Sequence, residues 1–172
     1  KVEKYILLTE KQKEDILNQL SLEQNRLNVI PHSIKSYKSL DKVEKLDRFI
    51  FLGRLGAQKQ IDHLIKAYKQ FLDYGYETKL AIFGPDEAGQ KKKMLDLIEQ
   101  FGIQDKVDIN EYTNNPLIEF QKSKASLLTS KFEGFGLTVM ESIEVGCPVI
   151  SYDVRYGPSE IIDHNKNGFL VE

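Results

Sequence analysis

Short apolar runs alternate with amphipathic stretches along almost the whole chain, and this alternation restricts the possible folds most. The runs that we predict to be strands are Tyr5–Thr9, Arg26–Ile30, Phe49–Leu52, Lys79–Phe83, Val107–Ile109, Ala125–Thr129, Val149–Tyr152 and Phe169–Val171. Mostly apolar runs of this kind are typical of strands that are buried on both faces of a parallel sheet. We therefore predict an α/β fold, a Rossmann-like parallel sheet with helices on both faces.

The stretches between the predicted strands carry apolar side chains at helical spacing. The clearest stripe consists of Ile61, Leu64, Ile65, Tyr68 and Phe71, which lie on one face of a helix. The other predicted helices are a short one around Ile16–Leu20, Met94–Phe101, Pro116–Phe120, Leu137–Val145 and Pro158–Ile162. Ser33–Asp47 is rich in lysine and poor in large apolar residues, so we predict a polar connector there.

Composition excludes several classes of function. The formal net charge is −2, which gives no basic field for nucleic acid. Cys147 is the only cysteine, so an internal disulfide and a multi-cysteine metal site are both excluded. No apolar run resembles a signal peptide or approaches the roughly 20 residues of a membrane span. Because the chain starts at Lys1 and not at methionine, we expect it to be an excised piece.

The segment from Gly53 to Lys59 follows a predicted strand and precedes a predicted helix. The free N–H groups at the start of a helix attract anions. Arg54 adds a forked donor and Lys59 a mobile charge, a combination that suits a diphosphate. The alternative is that both are solvated surface cations. The spacing differs from that of a nucleotide-binding P-loop.

The segment from Glu133 to Glu141 carries two carboxylates around a glycine-rich turn. Gly134 and Gly136 would let the backbone approach a ligand closely. A helix that begins here would leave N–H groups free, namely those of Phe135, Gly136 and Leu137. Glu141 would lie in a mostly apolar helix, where an unpaired carboxylate is costly, and it could accept hydrogen bonds from sugar hydroxyls. The alternative is a capping glutamate plus a buried structural one.

Taken together, these segments resemble the retaining glycosyltransferases of family four. Glu133 to Glu141 resembles their Glu-x7-Glu motif, and Gly53, Arg54 and Lys59 resemble their diphosphate-binding segment. The further matching segments are Ile30–Ser33, Gly146–Ile150 and Asn167–Val171. The resemblance implies the C-terminal half of a GT-B fold. Residues 1–30 would be the end of the N-terminal domain and the crossover to the C-terminal domain. Residues 31–172 would form a nucleotide-sugar-binding Rossmann-like domain that is truncated at its C-terminus.

The resemblance also implies roles for individual residues. Arg54 and Lys59, beside Gly53, would hold the diphosphate of a UDP-sugar and neutralise the charge on the leaving phosphate. Glu133 would contact the transferred hexose and Glu141 the ribose. The remaining ligand contacts would come from the N–H groups of Phe135, Gly136 and Leu137, and from the uracil-binding loop Tyr112–Asn115, with Tyr112 and Thr113.

The implied reaction is transfer of glucose or N-acetylglucosamine with retention of configuration. No Asp-x-Asp motif occurs in the sequence, so we predict a metal-independent enzyme with no cofactor besides the UDP-sugar donor. We expect the fragment alone to be inactive. We expect the intact enzyme to be cytoplasmic. The sequence leaves open whether it associates peripherally with the inner face of the membrane and whether it forms homo-oligomers.

The acceptor is suggested by the segment Asp153–Glu160. It resembles the wall teichoic acid α-glycosyltransferases, which modify poly(glycerol-phosphate) or poly(ribitol-phosphate), and this implies a polyanionic acceptor. Transferases of serine-rich adhesins share much of the pattern, so a protein acceptor is the first alternative. A catalytically inactive GT-B partner subunit, an epimerase or phosphorylase on the same architecture, and an α/β domain without a ligand are the others.

Overall fold

A computed structural model describes residues 2–34 and 43–172 of the chain. The first part is a small unit in which β1 (Tyr5–Leu7) pairs in parallel with β2 (Leu27–Val29), joined by α1 (Glu10–Gln19). The first strand is shorter than predicted because Thr9 serves as the N-cap of α1. Its hydroxyl oxygen accepts a hydrogen bond from the Gln12 N–H at 3.1 Å.

The second part is a six-stranded parallel sheet with helices between the strands. The strands are β3 (Arg48–Leu52), β4 (Lys79–Phe83), β5 (Val107–Asn110), β6 (Ala125–Leu128), β7 (Val149–Tyr152) and β8 (Gly168–Val171). The helices are α2 (Ile61–Asp73), α3 (Gln90–Gln100), α4 (Pro116–Lys122), α5 (Leu137–Glu144) and α6 (Pro158–Ile161). The predicted α/β class is confirmed. Much of the predicted polar connector, residues 35–42, lies outside the described residues.

The strand order of the large sheet is β5-β4-β3-β6-β7-β8. From β3, the chain therefore adds β4 and then β5 toward one edge of the sheet. It then returns to pair β6 with the other side of β3, and β7 and β8 follow toward the opposite edge. In such sheets, ligands bind at the carboxyl ends of the strands where this reversal occurs. The reversal lies between the ends of β3 and β6, just before the loops that begin at Gly53 and Thr129.

Both faces of this sheet are buried at its centre. Ile50 and Phe51 are adjacent in β3 and point to opposite faces, and neither is exposed to solvent. Phe51 packs in a cluster with residues of α2 and α3, whereas Ile50 packs with Phe120 of α4 and with Cys147. Among the described residues, no helix is long and apolar enough to cross a membrane.

Candidate functional site

An ion pair joins the two loops that meet at the reversal of strand order. The Nζ atom of Lys59 lies 2.7 Å from Oε1 of Glu133. Both side chains are largely buried, with 16% and 9% of their surface exposed. The structure thus brings together two of the predicted site residues, which are 74 positions apart in the chain.

Further hydrogen bonds fix these two loops to each other. The Thr129 hydroxyl, at the end of β6, donates to the carbonyl oxygens of Lys59 and Gln60 at 2.9 and 3.1 Å. Gln58 donates through its side chain to the Phe132 carbonyl, and its own carbonyl accepts from the backbone N–H of Lys131. The relative position of Lys59 and Glu133 is therefore set by the backbone as well as by their charges.

Arg54 has a different environment from Lys59. Its guanidinium lies 3.2 Å from the carboxylate of Glu87, and its side chain is 68% exposed. The two predicted phosphate-binding cations therefore do not share one acidic partner. Each is paired with a carboxylate from a different loop.

A cavity of about 190 Å³ lies beside this ion-pair network, at the ends of β3, β4 and β5. The predicted site residues that line it are Gly53, Arg54, Tyr112 and Thr113. Gly53 also adjoins the ion pair, because a β-carbon built at Gly53 would lie 3.8 Å from Cε of Lys59. The cavity and the ion pair are thus neighbouring parts of one sheet edge.

The glycine-rich turn after Glu133 leads directly into α5. Gly136 has a φ of 91°, in the left-handed region that favours glycine, and it is the N-cap residue of the helix. Phe135 is buried, whereas Leu137, the first helical residue, is 45% exposed. In the part of the chain that the structure describes, the backbone N–H groups of Phe135 and Gly136 donate to no backbone or side-chain acceptor.

Glu141 lies in the second turn of α5, four residues after Leu137 and hence on the same face of the helix. It is half-buried, and no partner for its carboxylate is present among residues 2–34 and 43–172. Burial raises the pKa of this carboxyl group above its usual value. An acid in this state can gain hydrogen bonds from a ligand.

Several residues near the site were not predicted from the sequence. Gly157 has a φ of 70°, and a β-carbon there would lie 1.8 Å from the Phe135 carbonyl oxygen, so only glycine allows this close approach. Gln12 of α1 donates to the Gly134 carbonyl at 2.7 Å. The partner of Arg54, Glu87, was also missed. Of these three contacts, only the one at Gly157 had a signal in the sequence, which is a glycine in a predicted loop.

Within the described ranges, no group of three or more His, Cys, Asp or Glu side chains is arranged to hold a metal ion. The metal-independence of the reaction stays a prediction.

Comparison with known proteins identifies the family. The model of the family "Glycosyl transferases group 1" matches residues 33–172. The chain is 37% identical over 171 residues to the poly(glycerol-phosphate) alpha-glucosyltransferase of Bacillus subtilis (strain 168), covering 96% of the chain and 24% of that enzyme.

Solved structures show the same architecture. A structure of a variant of S. aureus TarM in complex with fondaparinux, alpha-GlcNAc-glycerol and UDP superposes with a TM-score of 0.91 at 30% identity. It is matched over 99% of this chain and 34% of its own. The pneumococcal O-GlcNAc transferase GtfA, solved with UDP and GlcNAc, has a TM-score of 0.87 at 28% identity, with 98% and 34% covered.

The chain thus spans about a quarter to a third of the length of these relatives. The two solved structures superpose on this chain over almost its whole length. The extent of the family match and the shared fold lead to one conclusion: this chain belongs to the group 1 glycosyl transferases.

Proposed function

We propose that the chain is the donor-binding part of a retaining glycosyltransferase that moves glucose or N-acetylglucosamine from a UDP-sugar. The observation that carries this proposal is the Lys59–Glu133 pair at 2.7 Å, located where the strand order reverses. A donor diphosphate would take over Lys59 as its counterion, and Glu133 would then be free to contact the hexose. Arg54, on the exposed rim, would turn from Glu87 to the diphosphate.

The neighbouring cavity supports the proposal that the uracil base of the donor binds at this edge of the sheet. Its lining includes Gly53, Tyr112 and Thr113, and its volume of about 190 Å³ suits a single ring system. With uracil there, the diphosphate would pass Gly53 toward Lys59. Glu141 would accept hydrogen bonds from the ribose, and the free N–H groups of Phe135 and Gly136 would contact phosphate or hexose.

We propose a polyol-phosphate polymer such as wall teichoic acid as the acceptor, modified in the cytoplasm or at the inner face of the membrane. Support comes from the relatives, since the Bacillus enzyme is named for poly(glycerol-phosphate) and the TarM complex contains alpha-GlcNAc-glycerol. A peptide acceptor is the alternative, because the pneumococcal GtfA subunit is named as a peptide N-acetylglucosaminyltransferase.

Calorimetric titration of the chain with UDP, UDP-glucose and UDP-N-acetylglucosamine tests donor binding. We expect all three to bind and ADP to bind more weakly. Lys59→Ala should reduce UDP affinity by about tenfold or more, because one charge-assisted contact is lost. The matched control is Lys66→Ala, since Lys66 is exposed on α2 and pairs with Asp62 on the surface. Absence of UDP binding by the unmodified chain would refute the proposal.

Turnover is tested in a protein that also supplies the remainder of the enzyme, with polyol-phosphate and peptide acceptors offered side by side. Glu133→Ala and Arg54→Ala should sharply reduce transfer to whichever acceptor is used. Transfer that persists at the unmodified rate in both variants would contradict the assigned roles.

A further inference from the structure

The turn between Glu133 and Gly136 is held from outside the large sheet by α1. Gln12 donates from Nε2 to the Gly134 carbonyl at 2.7 Å, and its Oε1 accepts from the backbone N–H of Leu8 at 3.0 Å. A backbone N–H can only donate and a carbonyl can only accept, so these two partners fix which way the Gln12 amide faces. Only a side chain that carries both an acceptor and a donor satisfies them.

This bond determines the direction of one N–H group in the predicted donor site. The Gly134 carbonyl and the Phe135 N–H belong to the same planar trans peptide, in which they point in opposite directions. Holding the carbonyl toward α1 therefore directs the Phe135 N–H away from α1. Among residues 2–34 and 43–172, no atom lies within 4 Å of a β-carbon built at Gly134, so packing against the Gly134 position does not by itself fix the peptide.

Helix α1 is itself anchored, so Gln12 acts from a fixed position. Asp15 accepts two hydrogen bonds from Arg155, at 2.7 and 2.6 Å, and a third from the Tyr156 hydroxyl. The Arg155 guanidinium holds the pKa of Asp15 at about 2, so this carboxylate stays charged at neutral pH. The Glu160 carboxylate accepts from the backbone N–H of Glu10, in the first turn of α1, at 3.1 Å.

We propose that Gln12 is a positioning residue for the donor hexose: by holding the Gly134 carbonyl, it keeps the Phe135 N–H directed toward the bound sugar-phosphate. The inference rests on the proposed function, since it requires a UDP-sugar at this edge of the sheet. Gln12 lies in the small unit that precedes the large sheet, so the geometry of the donor site would depend on how that unit is docked.

The test compares Gln12→Glu with the unmodified chain in calorimetric titrations with UDP-N-acetylglucosamine and with uridine. Glutamate keeps the oxygen that accepts from Leu8 but places a second oxygen against the Gly134 carbonyl. We expect the affinity for UDP-N-acetylglucosamine to fall about tenfold, the equivalent of one hydrogen bond. Uridine should bind unchanged, because neither Gly134 nor Phe135 lines the cavity proposed for the base.

Two further measurements complete the experiment. Asn18→Ala, an exposed position on the same helix, is the matched control and should change neither affinity. In amide NMR spectra of the ligand-free chain, Gln12→Glu should shift the Phe135 N–H signal. An unmoved Phe135 signal, or equal losses for the two ligands, would overturn the inference alone. Failure of the unmodified chain to bind UDP-N-acetylglucosamine or uridine would overturn the proposed function as well.

Discussion

Glu141 is the residue at which the needs of folding and of binding are most clearly opposed. Its carboxylate is half-buried in α5 without a partner among the described residues, and burial raises its pKa. Ionised acids in such places destabilise the fold, because removal from water is not compensated by a hydrogen bond or an opposite charge. A bound ligand with hydrogen-bond donors would remove this cost, which is the role that we propose for the ribose hydroxyls.

We therefore predict that Glu141→Gln stabilises the ligand-free chain at neutral pH, by up to about 1 kcal/mol given its partial exposure. Below its usual pKa of 4.5 the wild-type acid is protonated in both the folded and the unfolded state, so the gain should vanish there. The gain should appear as the pH rises through the raised folded-state pKa and persist above it. Thermal unfolding at a series of pH values measures this.

The control for this prediction is Glu99→Gln, at an exposed position of α3. It should leave the unfolding midpoint unchanged across the same pH range. If the carboxylate contacts the ribose, Glu141→Gln should also weaken UDP binding. Such a trade-off between stability and function is common at binding sites. A variant that is destabilised at neutral pH would show that the carboxylate has a favourable structural role.

At the scale of elements, the loop before α2 and the loop after β6 act as one unit. The Lys59–Glu133 pair and the Thr129 hydrogen bonds connect them directly. Because both charged groups are largely buried, removal of one should leave the other uncompensated. Such a loss costs about 3 kcal/mol, considerably more than the loss of a surface pair.

A double-mutant cycle of Lys59→Met and Glu133→Gln tests this connection. Each single change should lower the free energy of unfolding, and the double change should cost less than their sum, with a coupling of about 1–3 kcal/mol. Urea unfolding provides the four values. The exposed pair Asp62–Lys66, treated in the same way, should couple by about 0.5 kcal/mol or less. Equal coupling in the two cycles would mean that Lys59 and Glu133 do not pair in solution.

The sequence predicted the elements better than it predicted their contacts. The β4 and β7 bounds follow from the sequence because apolar, doubly buried strands differ sharply from their neighbours. Lys59 and Glu133 could be expected at one edge because both follow strands of a parallel sheet. The Gln12–Gly134 bond could not be expected, since it depends on how α1 docks across 122 positions of the chain, and no local pattern encodes that.

At the scale of the whole molecule, two sheets meet through a largely polar boundary. The β1–β2 unit and the six-stranded sheet share no strand. Polar contacts of α1 cross between them. They are made by the side chains of Gln12 and Asp15 and by the Glu10 N–H, which donates to Glu160. The three apolar clusters of the large sheet contain none of residues 2–34. Polar boundaries of this kind are typical of domain junctions.

We therefore predict that a chain without residues 1–30 still folds, because no strand of the large sheet and none of its core is removed. It should unfold cooperatively in urea, with a midpoint only modestly below that of the full chain. The matched comparison removes residues 168–172, a far shorter piece that contains β8. That deletion strips a paired strand from β7 and uncovers the cluster around Val149, so it should lower the midpoint more. The opposite result would be loss of cooperative unfolding on deletion of residues 1–30 together with tolerance of the deletion of β8. In that case the small unit would be part of the folding core, and the predicted domain boundary near Pro31 would be wrong.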